Sequence, residues 1–140
     1  MSKYLETFAE RFATLDAGNL QRLDELYNED ITFRDPLHQI HGLPALREYF
    51  AELYANARDI RYDFHDASET RPGHGYLRWT LHFRHPRLNG GQPIALDGCS
   101  HLQWDERVHF HQDYFDAGAL LYEHVPVLGG LIGWLKGRLA

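Results

Sequence analysis

The sequence has one cysteine, one methionine and no long apolar run, and each shortage removes a class of protein. A lone thiol, Cys99, cannot close an internal disulfide. No apolar stretch approaches the roughly 18 residues that a membrane helix requires, so no membrane partner is expected. The opening Met1-Ser2-Lys3-Tyr4 leads into polar-interrupted sequence rather than an apolar signal core, which makes the cytoplasm the expected compartment. Basic residues are scarce: 14 Lys and Arg stand against 20 Asp and Glu, a net charge of -6, and nucleic-acid affinity rests on clustered cations. No nucleic-acid partner is expected. Neither G-x-G-x-x-G nor a P-loop occurs, so no nucleotide cofactor is expected, and without a G-x-S-x-G elbow a serine nucleophile has no support. What is present is a chain of 140 residues, 44% hydrophobic and 24% charged, which suits a single buried core. It also carries ten histidines, a surplus that either lines a site or decorates a surface.

Leu5, Phe8, Phe12 and Leu15 recur at spacings of three and four, which predicts an amphipathic helix over 3–15. Gly18-Asn19 interrupts it, and Leu20, Leu23, Leu26 and Tyr27 predict a short second helix capped by Asn19. Ile31-Thr32-Phe33 reads as a brief strand that ends at Asp35-Pro36. Gly42-Leu43-Pro44 opens a third helix, with Leu46, Tyr49, Phe50, Leu53 and Tyr54 on its buried face. From Ile60 onward the period becomes two, through Tyr62 and Phe64 and then Leu77, Trp79, Leu81 and Phe83. Turns fall at Pro72-Gly73, Asn89-Gly90-Gly91 and Asp105-Glu106. Helices followed by an antiparallel meander mean α+β, with the sheet curling over the first helix. Residues 1–124 read as one domain. Residues 125–140 read as a C-terminal amphipathic helix carrying Leu128, Leu131, Ile132, Leu135 and Leu139, with Gly129, Gly133 and Gly137 at spacings of four and Lys136 and Arg138 near its end. That helix packs on its own domain or on a dimer mate; two cations recommend a membrane surface poorly.

The run Val108 to Phe115 carries the most chemistry. Period two places His109, His111, Asp113 and Phe115 on one strand face. If that face is the concave interior, two imidazoles and a carboxylate share a pocket and can act as general acid and base; if Val108, Phe110 and Tyr114 face the core, the histidines are solvated. Asp35, fixed by the following proline, is a second candidate base with His38 close enough to share its cleft, although an Asp before proline is also an ordinary turn former. Asp97, Cys99, Ser100, His101 and Gln103 occupy both faces of one strand, and alternation alone does not choose between them. His-x-His with a nearby Asp could bind zinc or iron, but same-face neighbours stand nearly 7 Å apart and no distant ligand is marked out, so no metal is assigned.

The stretch Leu26-Tyr27-Asn28-Glu29-Asp30-Ile31-Thr32-Phe33-Arg34-Asp35-Pro36, continuing through Gly42-Leu43-Pro44-Ala45-Leu46-Arg47-Glu48-Tyr49-Phe50, resembles the nuclear transport factor two-like superfamily, which contains ketosteroid isomerases and SnoaL-like cyclases. Asp113-Tyr114-Phe115-Asp116 is similar to the SnoaL-like branch, and the resemblance covers about 4–122. It implies a cystatin-like α+β roll: a cone-shaped, curled antiparallel sheet wrapped around a long N-terminal helix, with an apolar pocket and frequent homodimers. Asp35 matches the isomerase base. The isomerase's oxyanion tyrosine matches Phe12, its partner tyrosine matches Phe50 and its protonated aspartate matches Ser100, so the electrophilic half of that site is missing. The resemblance also implies that Trp79, Leu81 and Phe83 wall the pocket, with His111 and Asp113 inside the cone.

The expectation is therefore a small-molecule-binding protein, an isomerase, cyclase or dehydratase that moves protons without a cofactor on an apolar or carbonyl-bearing molecule. Asp35 and Asp113 form the acid/base pair, His111 orients or relays, and Trp79, Phe83, His38, Phe12 and His109 contact substrate. A non-catalytic binding or assembly module is the alternative, and a pocket filled by aromatic side chains would favour it. His65, His74, His82 and His85 are expected to be solvated.

Overall fold

The computed structural model describes residues 2–118, 134, 135 and 137–139. Helix α1 (Lys3–Phe12) starts where Ser2 Oγ accepts the Leu5 N–H at 3.2 Å, and the same hydroxyl donates to Glu69 at 2.8 Å. The cap therefore ties the helix to the sheet. Its buried stripe is Leu5, Phe8, Ala9 and Phe12, and burying each large side chain contributes about 1.5–3 kcal/mol. The helix ends at Phe12, earlier than the apolar spacing predicts, yet Leu15 is still buried in the turn that follows. A single tight turn at Leu20–Arg22 leads into α2 (Leu23–Leu26). Tyr27, expected on that helix, instead has extended backbone and begins β1 (Tyr27–Arg34). Strand β2 (Gln39–His41), which the sequence did not reveal, folds back on the end of β1. Gly42, at a φ of 92°, turns the chain into α3 (Leu43–Asn56).

The remaining strands are β3 (Arg58–Arg71), β4 (His74–Arg84), β5 (Ile94–Trp104) and β6 (Val108–Phe115). They form one curled, unclosed six-stranded sheet in the order β2-β1-β6-β5-β4-β3. The meander is antiparallel as expected, but β1 joins β6 in parallel, so the sheet is mixed at one pairing. Helices α1 and α3 close the concave side, and the core between holds Leu5, Leu23, Ile31, Phe33, Leu46, Leu77 and Leu102. Gly75 lets α1 approach closely, since a Cβ there would lie 2.6 Å from both Leu5 Cδ1 and Ser68 O. Register slips in β3 and β6 mark bulges, which bend a strand and deepen the cone.

One bulge corrects the sequence reading. Val108 pairs with Trp104 and Phe110 with Gln103, which leaves His109 as the extra residue. The inner face of β6 is thus Val108, His111 and Asp113, because the bulge shifts the alternation by one. His109 does not share the interior with His111 and lines neither of the cavities described below.

Within the segment expected to form a C-terminal helix, residues 134, 135 and 137–139 are helical, and Trp134, Leu135 and Leu139 are exposed. Leu128, Gly129, Leu131, Ile132, Gly133 and Lys136 lie outside the described residues. Among the described residues no helix is long and apolar enough to cross a membrane.

Candidate active site

The open end of the cone holds a cavity of about 360 Å3, in the range that ligand pockets occupy. Strands β3 to β6 contribute Tyr62, Trp79, Phe83, Leu96, Asp113 and Phe115; α3 contributes Tyr49, Phe50, Glu52 and Leu53; the turn after β1 contributes Asp35, Leu37 and His38. Asp35, Asp113, Trp79, Phe83 and His38 therefore meet at one site, and its space is not filled by aromatic side chains. His85, expected in solvent, also lines it. Behind it lies a constriction of about 10 Å3 lined by Phe12, Tyr62, Trp79, Ser100, His111 and Asp113. Phe12 and His111 belong to this inner wall and not to the larger cavity, with Asp113, Trp79 and Tyr62 shared by both.

The two carboxylates differ in what they have left to offer. A carboxylate has about four lone-pair sites. Asp35 accepts from the Leu37 N–H at 2.8 Å, the His38 N–H at 2.7 Å, His38 Nδ1 at 3.1 Å and the Tyr49 hydroxyl at 2.8 Å. Its side chain is only 3% exposed. Asp35 is thus saturated: it closes the turn and holds Tyr49 and His38 in place. Asp113 is satisfied on one oxygen only. Its Oδ1 accepts from Ser100 Oγ at 2.5 Å and from His111 Nε2 at 2.7 Å. Its Oδ2 takes no hydrogen bond among the described residues, and no buried side-chain polar atom there lacks a partner, so Oδ2 is open to the cavity.

A line of donors converges on Asp113. Trp79 Nε1–H donates to Ser100 Oγ at 2.8 Å, and Ser100 Oγ–H in turn donates to Asp113. On the other side, Tyr27 Oη lies 2.8 Å from His111 Nδ1. A carboxylate only accepts, so His111 presents Nε2–H to Asp113, which leaves Nδ1 facing the Tyr27 hydroxyl. The Tyr27 phenol is held well above its ordinary pKa by burial first and by the Asp113 charge next, so it keeps its proton. His111 is 3% exposed, and rings of Phe8, Phe12 and Phe33 pack around it. Its orientation is therefore fixed by packing as well as by hydrogen bonds.

Sequence reasoning missed two phenols. Tyr49 sits on the apolar stripe of α3, where periodicity reads only burial; its hydroxyl reaches Asp35, and burial followed by that carboxylate's charge raises its pKa. Tyr62 lines both cavities, and its hydroxyl has no hydrogen-bond partner among the described residues. Burial first and the Asp113 charge second push it well above the ordinary phenol value, so it stays a proton donor. The alternation of β3 placed it on the inner face, but only its neighbours in space give it a role. Ser100 is likewise settled: even-numbered residues of β5 face inward, leaving Asp97, Cys99, His101 and Gln103 on the outer side. Among the described residues no group of three His, Cys, Asp or Glu is gathered to hold a metal ion.

These phenols give a pH prediction. Burial and the Asp16 charge push Tyr54 up to about 12. An unfolded phenol ionises near 10, so over that interval the unfolded chain releases its proton while the folded one keeps it. Stability present below pH 10 should then fall by about 1.4 kcal/mol per pH unit for each such phenol as pH rises. Denaturant unfolding at pH 9, 10 and 11, with ultraviolet titration of phenolate, checks this; independent ionisation near pH 10 by every tyrosine would contradict it.

A family model described as a SnoaL-like domain matches residues 8–108. Among solved structures, a protein with a ketosteroid isomerase-like fold from Catenulispora acidiphila DSM 44928 superposes with a TM-score of 0.74 at 16% identity, covering 89% of this chain and 93% of that one. A protein described as a SnoaL-like polyketide cyclase from Shewanella putrefaciens CN-32 gives 0.73 at 15%, over 91% and 98% of the two chains. A LEH-like epoxide hydrolase from M. tuberculosis gives 0.71 at 14%, over 94% and 96%. No curated protein sequence matches the chain. At such identities these structures establish the fold, while the domain match spans more than two thirds of the sequence. The chain belongs to the SnoaL-like family of the nuclear transport factor two-like fold.

Proposed function

We propose that this protein is a cofactor-independent acid–base enzyme, of isomerase, cyclase or dehydratase type, for a small apolar molecule bearing a carbonyl. One observation carries the reading: Asp113 is fixed through Oδ1 while Oδ2 faces an apolar cavity also lined by Tyr62, whose hydroxyl has no hydrogen-bond partner among the described residues. In the proposed step Asp113 Oδ2 takes a proton from the carbon next to the carbonyl, and the C–H electron pair becomes the enolate double bond. Tyr62 donates a hydrogen bond to the enolate oxygen, a kind of stabilisation worth several kcal/mol in a site that excludes water. In a β,γ-unsaturated ketone the proton returns from Asp113 to the γ-carbon as the double bond moves into conjugation, which completes an isomerisation; or the enolate carbon adds to a second carbonyl carbon of the same molecule, whose C=O π pair becomes an alkoxide that takes the proton from Asp113, which closes a ring. His111, backed by Tyr27, and Ser100, backed by Trp79, keep the carboxylate aimed. Trp79 and Phe83 hold the apolar body, and Asp35 positions Tyr49 and His38 at the wall.

The reading is tested with a panel of one- and two-ring ketones in D2O, following loss of the α-proton signal by NMR. Catalysed exchange that requires the folded protein is expected; binding without exchange across the panel would favour a ligand-binding module instead. We also infer a homodimer, because Tyr76 and Tyr114 stand exposed on strands of the sheet. Sedimentation velocity at micromolar concentration should report a mass near twice 16.3 kDa, and a single monomeric species would contradict it.

A further inference from the structure

A second, polar cavity of about 600 Å3 is lined by Arg11, Thr14, Arg22, Glu25, Leu26 and Arg107. Its three guanidiniums come from three separate segments: the last turn of α1, the turn before α2, and the turn between β5 and β6. None of them lies within 4.0 Å of a carboxylate among the described residues. Elsewhere among the described residues Arg47 pairs with Asp24, Arg61 with Asp63 and Arg84 with Asp59, while Arg34, Arg58, Arg71, Arg78 and Arg87 form no ion pair, so what sets Arg11, Arg22 and Arg107 apart is their gathering at one hollow. In a protein with an excess of acidic residues, three unpaired cations around one hollow are not forced by a shortage of partners. Tyr4 feels the charges of both Arg11 and Arg107, which places those two side chains near one point. Arg22 Nη1 reaches Thr14 Oγ1 at 3.5 Å, and Thr14 in turn donates to Arg11 O at 2.7 Å. That is the only hydrogen bond the three guanidiniums make among the described residues, so nearly all of their N–H donors are uncommitted.

We propose that this cavity binds a small, multiply charged anion, an organic phosphate or pyrophosphate. Guanidiniums match phosphate oxygens with paired N–H donors, and three of them against one Glu25 leave a net charge of two to neutralise. A long polyanion or an anionic membrane is disfavoured, since the chain as a whole carries -6 and would be repelled beyond the cavity rim. Leu26 and Arg107 each adjoin a residue of the Tyr27–Val108 strand pair, so the ligand braces the pairing that positions Tyr27.

The test is NMR titration of the arginine side-chain N–H signals with pyrophosphate and with phenyl phosphate, at ionic strength held constant with NaCl. Saturable shifts confined to Arg11, Arg22 and Arg107, half-complete below about 1 mM, are expected. Arg22→Gln and Arg107→Gln should each weaken binding about tenfold, as expected for loss of a charge-assisted contact, while Arg107→Lys retains part of it. Arg87→Gln, at an exposed position outside the cavity, should change nothing. Non-saturating shifts, shifts equal to those in NaCl alone, or equal binding by the Gln variants would overturn the proposal. So would adsorption to phosphatidylserine vesicles without any response to pyrophosphate.

Discussion

Asp113→Asn should slow α-proton exchange of a bound ketone by about 10²–10⁴-fold, the range attributed to a positioned general base. The substitution is nearly isosteric, and the retained carbonyl oxygen can still accept from Ser100 and His111. What it removes is the second oxygen, which is open to the cavity. Unfolding midpoint and ligand affinity should therefore stay close to the parent while turnover collapses. Asp35→Asn should behave in the opposite way. Its four accepted hydrogen bonds hold the turn after β1 and the Tyr49 hydroxyl, so the expected loss is about 1.5–3 kcal/mol of stability, with exchange within about tenfold of the parent. Parallel denaturation and exchange measurements on the two variants separate the roles. Equal losses of exchange would return Asp35 to the chemistry.

Gly98→Ala should damage the site from the opposite strand. Gly98 pairs with Trp79 across β4 and β5, and a Cβ there would overlap the indole ring itself. The indole cannot stay over the glycine, and any rotation breaks its 2.8 Å bond to Ser100 and pushes the ring into the cavity. Overpacking of this kind costs about 1–3 kcal/mol. The added effect is on function: Ser100 loses the donor that orients it toward Asp113, and the pocket shrinks. A reduced unfolding midpoint together with lost ketone binding is expected, and Trp79 fluorescence should report the ring's new surroundings. Trp79→Phe, which keeps an aromatic body but has no N–H, should preserve binding better than turnover.

The fold was legible in the sequence where periodicity was strong. The stripe Leu5, Phe8, Phe12 named α1, alternation through Tyr62, Trp79 and Phe83 named the strands, and the family resemblance implied that Trp79 and Phe83 wall the pocket, where both are found. It was illegible where backbone geometry breaks the period. The bulge at His109 moves that imidazole off the inner face, although the local pattern pairs it with His111. Tyr27 follows helical spacing from Leu20 and yet begins a strand, because its partner is Val108, far along the chain. The parallel joining of β1 to β6 is likewise a long-range choice that no local signal encodes. For the site, Asp35 and Asp113 could be named from the chain, but not their difference. Which carboxylate is saturated depends on Tyr49, Ser100 and His111 arriving from three other segments, and hydrogen-bond supply is a property of the folded neighbourhood.

The most direct measurement is the crystal structure of the protein with 2-tetralone bound. The ketone oxygen should lie within hydrogen-bond distance of Tyr62 Oη, with the α-carbon about 3–3.5 Å from Asp113 Oδ2 and the second ring against Trp79 and Phe83. A ketone bound in the same cavity with its α-carbon turned away from Asp113, or with its oxygen held elsewhere, would contradict the assignment of Asp113 as the base.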